Sequence, residues 1–250
     1  MKIATYNILK GGSKRVHWAK MIEEHHVDLL LVQESYHPDE HLPPMLYPEF
    51  VGKSTWEMAE KNGWGSAIFS RMGSLGAISV PSYTGWVVGA SLQDTAFPGG
   101  YQEVLVFSLH APSHNEPYHK QVNKILDKIA KIRTGRSVVI AGDFNLSVSH
   151  HADSTRPTRK QDLAIQERLK IEFGLINCWE CANPNQPLAQ TLRWTGNRTI
   201  PYHCDGIFVP YAWKERLVAC EVLSGDGWNS LSDHNPVVAT FDFANGPSKG

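Results

Sequence analysis

The sequence has little cysteine, with four residues in a chain of 250. Small secreted domains that depend on disulfides are far richer in cysteine, and a chain of this length can bury a sufficient core without them. The sequence also lacks an apolar run long enough to cross a bilayer. Its first residues, Met1 to Tyr6, resemble a β-strand rather than the apolar core of a signal peptide. These absences predict a reduced, cytoplasmic protein with no membrane partner.

An excess of either charge is absent as well. Lysine and arginine together number 24 and aspartate and glutamate 25, which gives a net charge of −1. Such a chain has no overall basic field, so a nucleic-acid partner would have to be bound by a local patch. The chain also shows no internal repeat and no shift in composition that would mark a linker. We therefore expect one domain over residues 1–243, a flexible tail over 244–250, and a monomer.

What the sequence does contain is a series of short apolar runs that predict β-strands. In the stretch 136–145, the run from Val138 to Ile140 is typical of a strand buried on both faces, and Asp143 and Asn145 follow it closely. Similar runs predict strands over 2–8, 27–32, 66–70, 75–80, 85–92, 103–110, 204–210, 217–223 and 236–243. Helical spacing of apolar residues predicts helices over 14–26, 119–133 and 162–173. This mixture predicts two packed sheets with helices outside.

Polar residues recur where the predicted strands end. These residues are Asn7, Glu34, His110, Asp143 with Asn145, Asp205, and Asp233 with His234. Several carboxylates that converge in a buried place require a cation, a protonated partner or a charged ligand. Glu34, Asp233 and Asn7 offer the oxygen atoms that Mg²⁺ or Mn²⁺ prefers. His110 and His234 are left to bind an oxyanion or to move protons, so the set predicts metal-assisted attack of water on a phosphate ester.

Each of these residues also has an ordinary structural interpretation when it is taken alone. Asp143 and Asn145 fit an Asx turn that closes a strand, and Asn7 fits a turn at a strand end. Glu34 could be a solvated carboxylate, and His110 a half-buried histidine with its hydrogen bonds satisfied. The functional interpretation depends on the number of such residues and on their common position at strand ends.

Six short motifs occur in a recognisable order along nearly the whole chain. They are Thr5-Tyr6-Asn7, Gln33-Glu34, the stretch Ser66 to Arg71, Gly142-Asp143-Phe144-Asn145, the stretch Cys204 to Val209, and the stretch Ser232 to Val237. In this order they resemble the endonuclease/exonuclease/phosphatase superfamily, which includes DNase I-like and exonuclease III-like nucleases, sphingomyelinases and inositol-polyphosphate phosphatases. The resemblance implies a DNase I-like, four-layered α/β sandwich with two packed mixed β-sheets flanked by helices.

The resemblance also implies a role for each residue at the strand ends. Glu34 is expected to be the main metal ligand, and Asn7 and Asp233 are expected to complete or support the metal shell. Asp143 is expected to orient or deprotonate the attacking water, while Asn145 and His110 hold non-bridging phosphate oxygens. His234 is expected to contact the phosphoryl group in the transition state, with Asp205 hydrogen-bonded to its other ring nitrogen. A carboxylate in that position fixes the tautomer of a histidine and stabilises its charged form.

Two positions depart from the pattern of the family's abasic-site endonucleases. Nuclease members of the family carry an acidic residue two positions after the first asparagine, where this chain has Leu9. The abasic-site endonucleases carry tyrosine where this chain has His110, which is the form seen in the family's phosphodiesterases and phosphatases. These departures argue against an abasic-site endonuclease and widen the expected substrates to phosphodiesters in general. Sphingomyelin is disfavoured because the sequence offers no hydrophobic hairpin suited to membrane insertion.

The residues that contact the substrate are harder to identify. Basic and aromatic residues in the predicted loops are candidates for substrate binding, namely Arg71, Arg156, Trp194, Arg198 and Trp228. Trp64 is a further tryptophan in a loop-like segment that could stack on a base. The alternative is that these charges form a solvated face and that the tryptophans cover the ends of the sandwich.

A zinc site is a competing interpretation of the cysteines. Cys178 and Cys181, with the adjacent His203 and Cys204, could supply four ligands. The second pair is adjacent rather than spaced, and neighbours in a strand point to opposite faces. Buried free thiols are therefore favoured.

Taken together, the residues predict a Mg²⁺- or Mn²⁺-dependent phosphodiesterase, most simply a nuclease that acts on DNA or RNA. One alternative is an enzyme of the same fold that acts on a small phosphoester such as an inositol or sugar phosphate. Another is a catalytically silent binding module with that fold.

Overall fold

The computed structural model describes residues 1–12, 15–94, 97, 102–113, 116–150, 158–194 and 202–243. The expected tail over 244–250 lies outside these residues, as do Arg156 and Arg198.

The described strands form two mixed sheets of six strands each. Sheet A has the order β11-β12-β1-β2-β4-β3. Its strands are β1 (Lys2–Asn7), β2 (Leu29–Ser35), β3 (Ser54–Met58), β4 (Gly65–Ser70), β11 (Leu217–Val222) and β12 (Val237–Phe241). Sheet B has the order β5-β6-β7-β8-β10-β9. Its strands are β5 (Leu75–Ile78), β6 (Val87–Asp94), β7 (Gln102–His110), β8 (Ser137–Asp143), β9 (Leu175–Asn177) and β10 (Asp205–Pro210).

The described helices connect the strands and mostly cover the outer faces of the two sheets, except that Cys178 and Trp179 of the fifth helix pack in the layer between the sheets. They are α1 (Val16–Ala19), continued by a π-helical segment (Lys20–Glu24), α2 (Pro38–His41), α3 (Tyr118–Arg133), α4 (Lys160–Ile171), α5 (Cys178–Ala182) and α6 (Asp226–Asn229). Short 3₁₀ segments occupy Pro48–Phe50 and Tyr211–Arg216. None of the helices in the described part of the chain has the length and apolarity needed to cross a membrane.

Alternation along the central strands produces three hydrophobic layers between four layers of structure. In β2, Leu29 and Leu31 face sheet B, whereas Leu30 and Val32 pack beneath α1 on the outer face. In β8, the same alternation sends Val139 into the space between the sheets and its neighbours outward beneath α3 and α4. Because successive side chains point to opposite faces, a strand covered on both sides is apolar at every position. The fold is the expected α/β sandwich of two sheets flanked by helices.

The two sheets repeat one pattern of strand directions, and this pattern gathers the site at one edge. The middle of each sheet is a parallel pair, β1 with β2 and β7 with β8. Each pair is flanked by antiparallel strands, including β12 beside β1 and β10 beside β8. The carboxyl ends of parallel strands and the amino ends of their antiparallel neighbours lie at the same edge. Residues that leave β1, β2, β7 and β8 therefore meet those that enter β10 and β12.

Several short elements were missed by the sequence patterns. Strand β3 lies at the edge of sheet A and is only partly buried, so its residues do not form an apolar run. Strand β9 has three residues, and α2 and α5 have four and five. The predicted helix over 14–26 is a short α-helix followed by a π-helical segment rather than a regular helix.

Candidate active site

Sheet A supplies Glu34 from a distorted part of β2. The pairing of β2 with β4 shifts register between Val32 and Ser35, and Glu34 has a φ of 55°. A β-bulge re-aims a side chain, and a non-glycine residue with a positive φ costs folding free energy. Such features therefore persist mainly where the new direction of the side chain serves function. Glu34 is turned toward the edge cavity, where its Oε2 accepts from the backbone N–H of Lys10 at 2.7 Å. Gln33, its neighbour, stays between the sheets and donates to Ser108 Oγ at 3.0 Å.

Asn7 joins the acidic residues of the two sheets. Its Nδ2 donates to Glu34 Oε1 at 3.2 Å and to Asp143 Oδ2 at 3.1 Å. Its Oδ1 accepts from the backbone N–H of Leu9 at 3.1 Å. One amide therefore fixes the separation of two carboxylates that would otherwise repel each other.

Sheet B supplies His110 and Asp143 from neighbouring positions of its parallel pair. His110 Nε2 lies 3.7 Å from Glu34 Oε1 and 3.8 Å from Asp143 Oδ2. Asn145 follows in the left-handed region, with a φ of 53°. Its backbone N–H donates to Asp143 Oδ1 at 2.9 Å, and its side-chain amide donates to the carbonyl of Ala111 at 3.0 Å. The Asx-turn contact is thus present, and it holds Asp143 in place at the edge of the cavity.

Asp205 and His234 form the hydrogen-bonded pair that the sequence predicted. His234 Nδ1 lies 2.9 Å from Asp205 Oδ2, and His234 Nε2 lies 3.7 Å from Asp143 Oδ2. Burial disfavours the charged imidazole, but the carboxylates of Asp205 and Asp143 outweigh it and raise the pKa of His234 to about 10. Asp205 Oδ1 is buried without a hydrogen-bond partner among the described residues. The negative charge of Asp205 is therefore balanced mainly by the His234 imidazolium.

Burial shifts the pKa values of His110 and Asp143 in opposite directions. It lowers the pKa of His110 to about 4, more strongly than the carboxylate of Asp143 raises it. It also raises the pKa of Asp143, despite the attraction of the His234 cation. A neutral His110 can donate one hydrogen bond to an oxyanion, whereas a charged His234 can stabilise developing negative charge.

The donor set fits a hard divalent cation. Glu34 and Asp233 line one cavity of about 440 Å³ together with Asp143 and His234. Asn7 lies behind this lining, hydrogen-bonded to Glu34 and Asp143. Among the residues that the structure describes, no lysine or arginine lines this cavity to neutralise its carboxylates. Oxygen-rich sites in which carboxylates outnumber the protein's own cations are where Mg²⁺ and Mn²⁺ bind.

A second group of possible ligands lies deeper. One ligand atom from each of Asp143, Cys204, Asp205 and His234 falls within 4.8 Å of the others. These ligand atoms are close together because Asp205 and His234 share a hydrogen bond and because Cys204 Sγ lies 3.5 Å from Asp205 Oδ2. All four residues are buried, whereas Glu34 and Asp233 are only partly buried and reach the cavity. Glu34 and Asp233 are therefore the more accessible candidates for metal binding.

A family model matches nearly the whole chain. The model of the Endonuclease/Exonuclease/phosphatase family matches residues 4–234. The chain belongs to this family. Its relatives of known activity are hydrolytic phosphoesterases that depend on a divalent metal, and this chain is an enzyme of that kind. No curated protein matches the sequence.

Solved structures of similar fold include DNA-processing enzymes. A 3′ phosphatase from Neisseria, bound to a product DNA hairpin, has a TM-score of 0.70 and 19% identity, and the match covers 97% of this chain and 99% of that one. The catalytic domain of APE2 from Xenopus laevis has a TM-score of 0.69 and 19% identity, with 96% and 91% covered. An AP endonuclease from Archaeoglobus fulgidus has a TM-score of 0.67 and 21% identity, with 97% and 99% covered. At these identities the similarity establishes the fold.

Within this family fold, the predicted substrate-binding residues have mixed outcomes. Trp194 is 62% exposed and lines the cavity, and its contact with substrate stays a prediction. Arg71 is a correction: it follows β4, which runs antiparallel to β2, and its backbone N–H donates to the carbonyl of Asp28 before β2 begins. Its guanidinium donates to the carbonyl of Ile22 at 2.9 Å, at the edge opposite Glu34.

Trp228 is the second correction. It is 6% exposed and packs edge to face against Tyr6, with ring centroids 5.7 Å apart, in the outer core of sheet A. Trp228 therefore fits the alternative interpretation of these tryptophans, in which they cover the sandwich and do not bind the substrate. The proposed contacts of Arg156 and Arg198 fall outside the described residues.

The family motifs gave no indication of three aromatic or hydroxyl-bearing residues that help to enclose the site. Trp86 and Tyr118 line the cavity beside Trp64. Thr191, which is fully buried, accepts from the backbone N–H of Cys204 at 3.0 Å and of Asp205 at 3.2 Å. Trp86 and Thr191 lie on connecting segments, and Tyr118 is the first residue of α3, so none of them belongs to a periodic pattern that marks the site.

The zinc interpretation is not supported by the described residues. Cys178 and Cys181 lie on α5 and do not join the group of converging ligand atoms. His203 Nδ1 lies 2.7 Å from the carbonyl of Ala189, and its ring packs against Trp179. Burial raises the pKa of Cys178 well above its usual range, as expected of an inert buried thiol.

Proposed function

We propose that this enzyme is a Mg²⁺- or Mn²⁺-dependent phosphodiesterase, and specifically a nuclease. The observation that carries the proposal is the convergence of both sheets on one cavity, in which Asn7 bridges Glu34 and Asp143 and His234 pairs with Asp205. The DNA-bound Neisseria phosphatase and the two endonuclease-related structures support a nucleic-acid substrate. A cytoplasmic location and a monomeric state remain predictions from the sequence.

The cation would be held by Glu34, with Asn7 and Asp233 completing or supporting its shell. When bound, it would polarise the phosphoryl oxygen and offset developing charge. Asp143 orients the attacking water, because its position is fixed by Asn7 and by the backbone of Asn145. His110 and Asn145 hold the non-bridging oxygens, and the Asn145 amide can do so with the second N–H of a group that already donates to Ala111.

His234 would stabilise the phosphoryl group as negative charge accumulates. Its Nε2 faces the cavity because Nδ1 is bonded to Asp205. The carboxylate keeps this ring oriented and charged, so the donor is in place before the reaction begins.

Turnover of defined substrates tests the proposal. Purified protein is assayed on single-stranded DNA, double-stranded DNA, RNA and bis-p-nitrophenyl phosphate with Mg²⁺, with Mn²⁺ and with EDTA. We expect hydrolysis that requires the cation and that falls by at least about 100-fold in Glu34→Gln and His234→Ala. Glu24→Gln, a change at an exposed and distant acid, is the matched control and should retain full activity.

Two results would contradict the proposal. One is turnover on none of these substrates, or turnover that EDTA leaves unchanged. The other is near-full activity of a folded Glu34→Gln or His234→Ala protein. The second candidate function is that of a phosphomonoesterase, and the similarity to a 3′ phosphatase favours it. Release of orthophosphate from phosphomonoesters without cleavage of nucleic acid would support this candidate.

A further inference from the structure

Two tryptophans form one wall of the catalytic cavity beside His110. The ring centroids of Trp64 and Trp86 lie 5.5 Å apart with the planes at 88°, and Trp86 lies 5.1 Å from the His110 ring. Trp64 lies 5.8 Å from the same imidazole. Both indoles are half-buried and both line the cavity. An aromatic surface thus begins directly at a residue assigned to hold the phosphate.

The backbone fixes this wall to both sheets. The carbonyl of Trp86 accepts from the backbone N–H of His110 at 2.8 Å and from Ser66 Oγ at 3.2 Å. The N–H of Ser66 donates to the carbonyl of Gly85 at 2.8 Å, so β4 of sheet A is tied to the segment before β6 of sheet B. The carbonyl of Trp64 accepts from Ala59 across the β3–β4 connection at 2.9 Å. The rings are therefore positioned before a substrate binds, which lowers the ordering cost of binding.

Charge around the cavity indicates how a nucleic acid would be bound. Proteins that bind duplex DNA obtain much of their affinity from lysines and arginines on phosphates. Among the described residues, this cavity is lined by aromatic rings and by the acids Glu34, Glu60, Asp143 and Asp233, with no lysine or arginine. Proteins that bind single strands add the stacking of bases on aromatic side chains to a basic groove that follows the backbone. The described lining of this cavity supplies the aromatic part of that arrangement.

We propose that Trp64, supported edge-on by Trp86, forms a subsite for the base of an unpaired nucleotide next to the scissile phosphate. Inside a duplex, neighbouring bases cover both faces of each base. Only an unpaired nucleotide can therefore present a free base face to a ring in the cavity wall. The substrate is then single-stranded or frayed nucleic acid. This inference rests on the proposed nuclease function and adds the class of substrate to it.

Equilibrium binding tests the subsite without turnover. Fluorescence anisotropy in EDTA compares a short labelled oligothymidylate with a strand of the same length and charge in which each base is replaced by a tetrahydrofuran abasic residue. We expect the wild-type protein to bind the thymidylate about tenfold more tightly. Trp64→Leu should abolish this preference, whereas Trp64→Phe should retain most of it. Tyr211→Leu, which changes an exposed aromatic residue outside this cavity, should leave the preference intact.

The outcomes separate this inference from the nuclease assignment. Equal affinity of the wild-type protein for the two strands, or an unchanged preference in a folded Trp64→Leu protein, overturns the base subsite even if the protein is a nuclease. A base preference that Trp64→Leu abolishes, in a protein that hydrolyses no nucleic acid, overturns the nuclease function and leaves the base subsite supported.

A salt titration gives an independent readout. We expect affinity for the single strand to fall by less than about tenfold between about 50 and 200 mM salt, because few phosphates are contacted by cations. A loss of about 1,000-fold over that range would show that phosphate contacts dominate the affinity, which would contradict the inference that this lining binds a strand chiefly through a base.

Discussion

Individual residues at the site are held mainly by hydrogen bonds to the backbone. Thr191 is the clearest example, because its hydroxyl oxygen accepts from two consecutive N–H groups at the start of β10. Its own carbonyl accepts from the N–H of Asn235 at 2.7 Å, next to His234. One buried threonine therefore sets the positions of Asp205 and His234, although it contacts neither side chain in the cavity.

Substitution of Thr191 by valine tests this role. Thr191→Val keeps the shape of the side chain but leaves two buried N–H groups without an acceptor, and we expect a loss of about 1–3 kcal/mol in the free energy of unfolding. A shift of Asp205 should also lower kcat by about 10-fold to 100-fold. Thr191→Ser retains the oxygen and should restore most of both. Denaturant titration and steady-state kinetics measure the effects, and a valine variant with wild-type values of both would refute the role.

At this scale the sequence was informative about polar residues at strand ends and uninformative about the loops. The residues from Asn7 to His234 that the motifs singled out do converge, because strand direction alone places them at one edge. Arg71 and Trp228 do not belong with them. The position of Arg71 depends on β4 running antiparallel to β2, and that direction is set by pairing partners rather than by local residues. The bulge that turns Glu34 also has no marker in the sequence.

Among the elements, the parallel pair β7–β8 depends on a close backbone approach at Gly142. A Cβ atom at this position would lie 1.8 Å from the carbonyl oxygen of Leu109, on the paired strand. The next pair in register is His110 with Asp143. The glycine of the Gly-Asp-Phe-Asn motif therefore allows β7 and β8 to approach closely enough to bring two site residues together.

We expect Gly142→Ala to force these strands apart. Since the clash is with backbone rather than with a flexible side chain, it should cost at least about 1–3 kcal/mol of folding free energy and most of the activity. Gly227→Ala is the control: the nearest atom to its added Cβ is the flexible Lys20 Nζ at 3.9 Å, and the change should be neutral or stabilise by up to about 1 kcal/mol. Thermal unfolding and kinetics compare the two. Equal stability in both variants would contradict the account of Gly142.

The strongest sequence patterns belonged to the elements that are buried on both faces or have one clear apolar stripe. The runs in β2 and β8 and the stripe of α3 were visible for this reason. Strand β3 was not, because an edge strand that is half exposed needs no apolar run. The short helices α2 and α5 are likewise stabilised by tertiary packing more than by their own sequence.

For the whole molecule, the main electrostatic feature is a concentration of carboxylates at one edge in a chain of nearly balanced charge. Glu34, Asp143, Asp205 and Asp233 lie together, and the described lining of the cavity contains histidines but no lysine or arginine. Folding brings these charges together, so a bound cation should stabilise the native state relative to the unfolded chain.

Metal-dependent stability measures this effect directly. At a Mg²⁺ or Mn²⁺ concentration of about 100 times the dissociation constant, we expect the Tm to rise by about 5–10 °C relative to EDTA. Glu34→Gln and Asp233→Asn should each reduce the rise, while Glu24→Gln should preserve it. Differential scanning fluorimetry over a range of metal concentrations gives the result. An identical Tm with metal and with EDTA in the wild-type protein would exclude a stabilising site.

The division of the site between two sheets has a consequence for how activity can change. Asn7 and Glu34 lie on sheet A, His234 lies just before its strand β12, and Asp143 and Asp205 lie on sheet B. The hydrophobic layer between the sheets therefore acts as a spacer for the reacting groups. A larger or smaller side chain in that layer would change the distance between the reacting groups, and with it kcat, without a change in any residue that contacts the substrate.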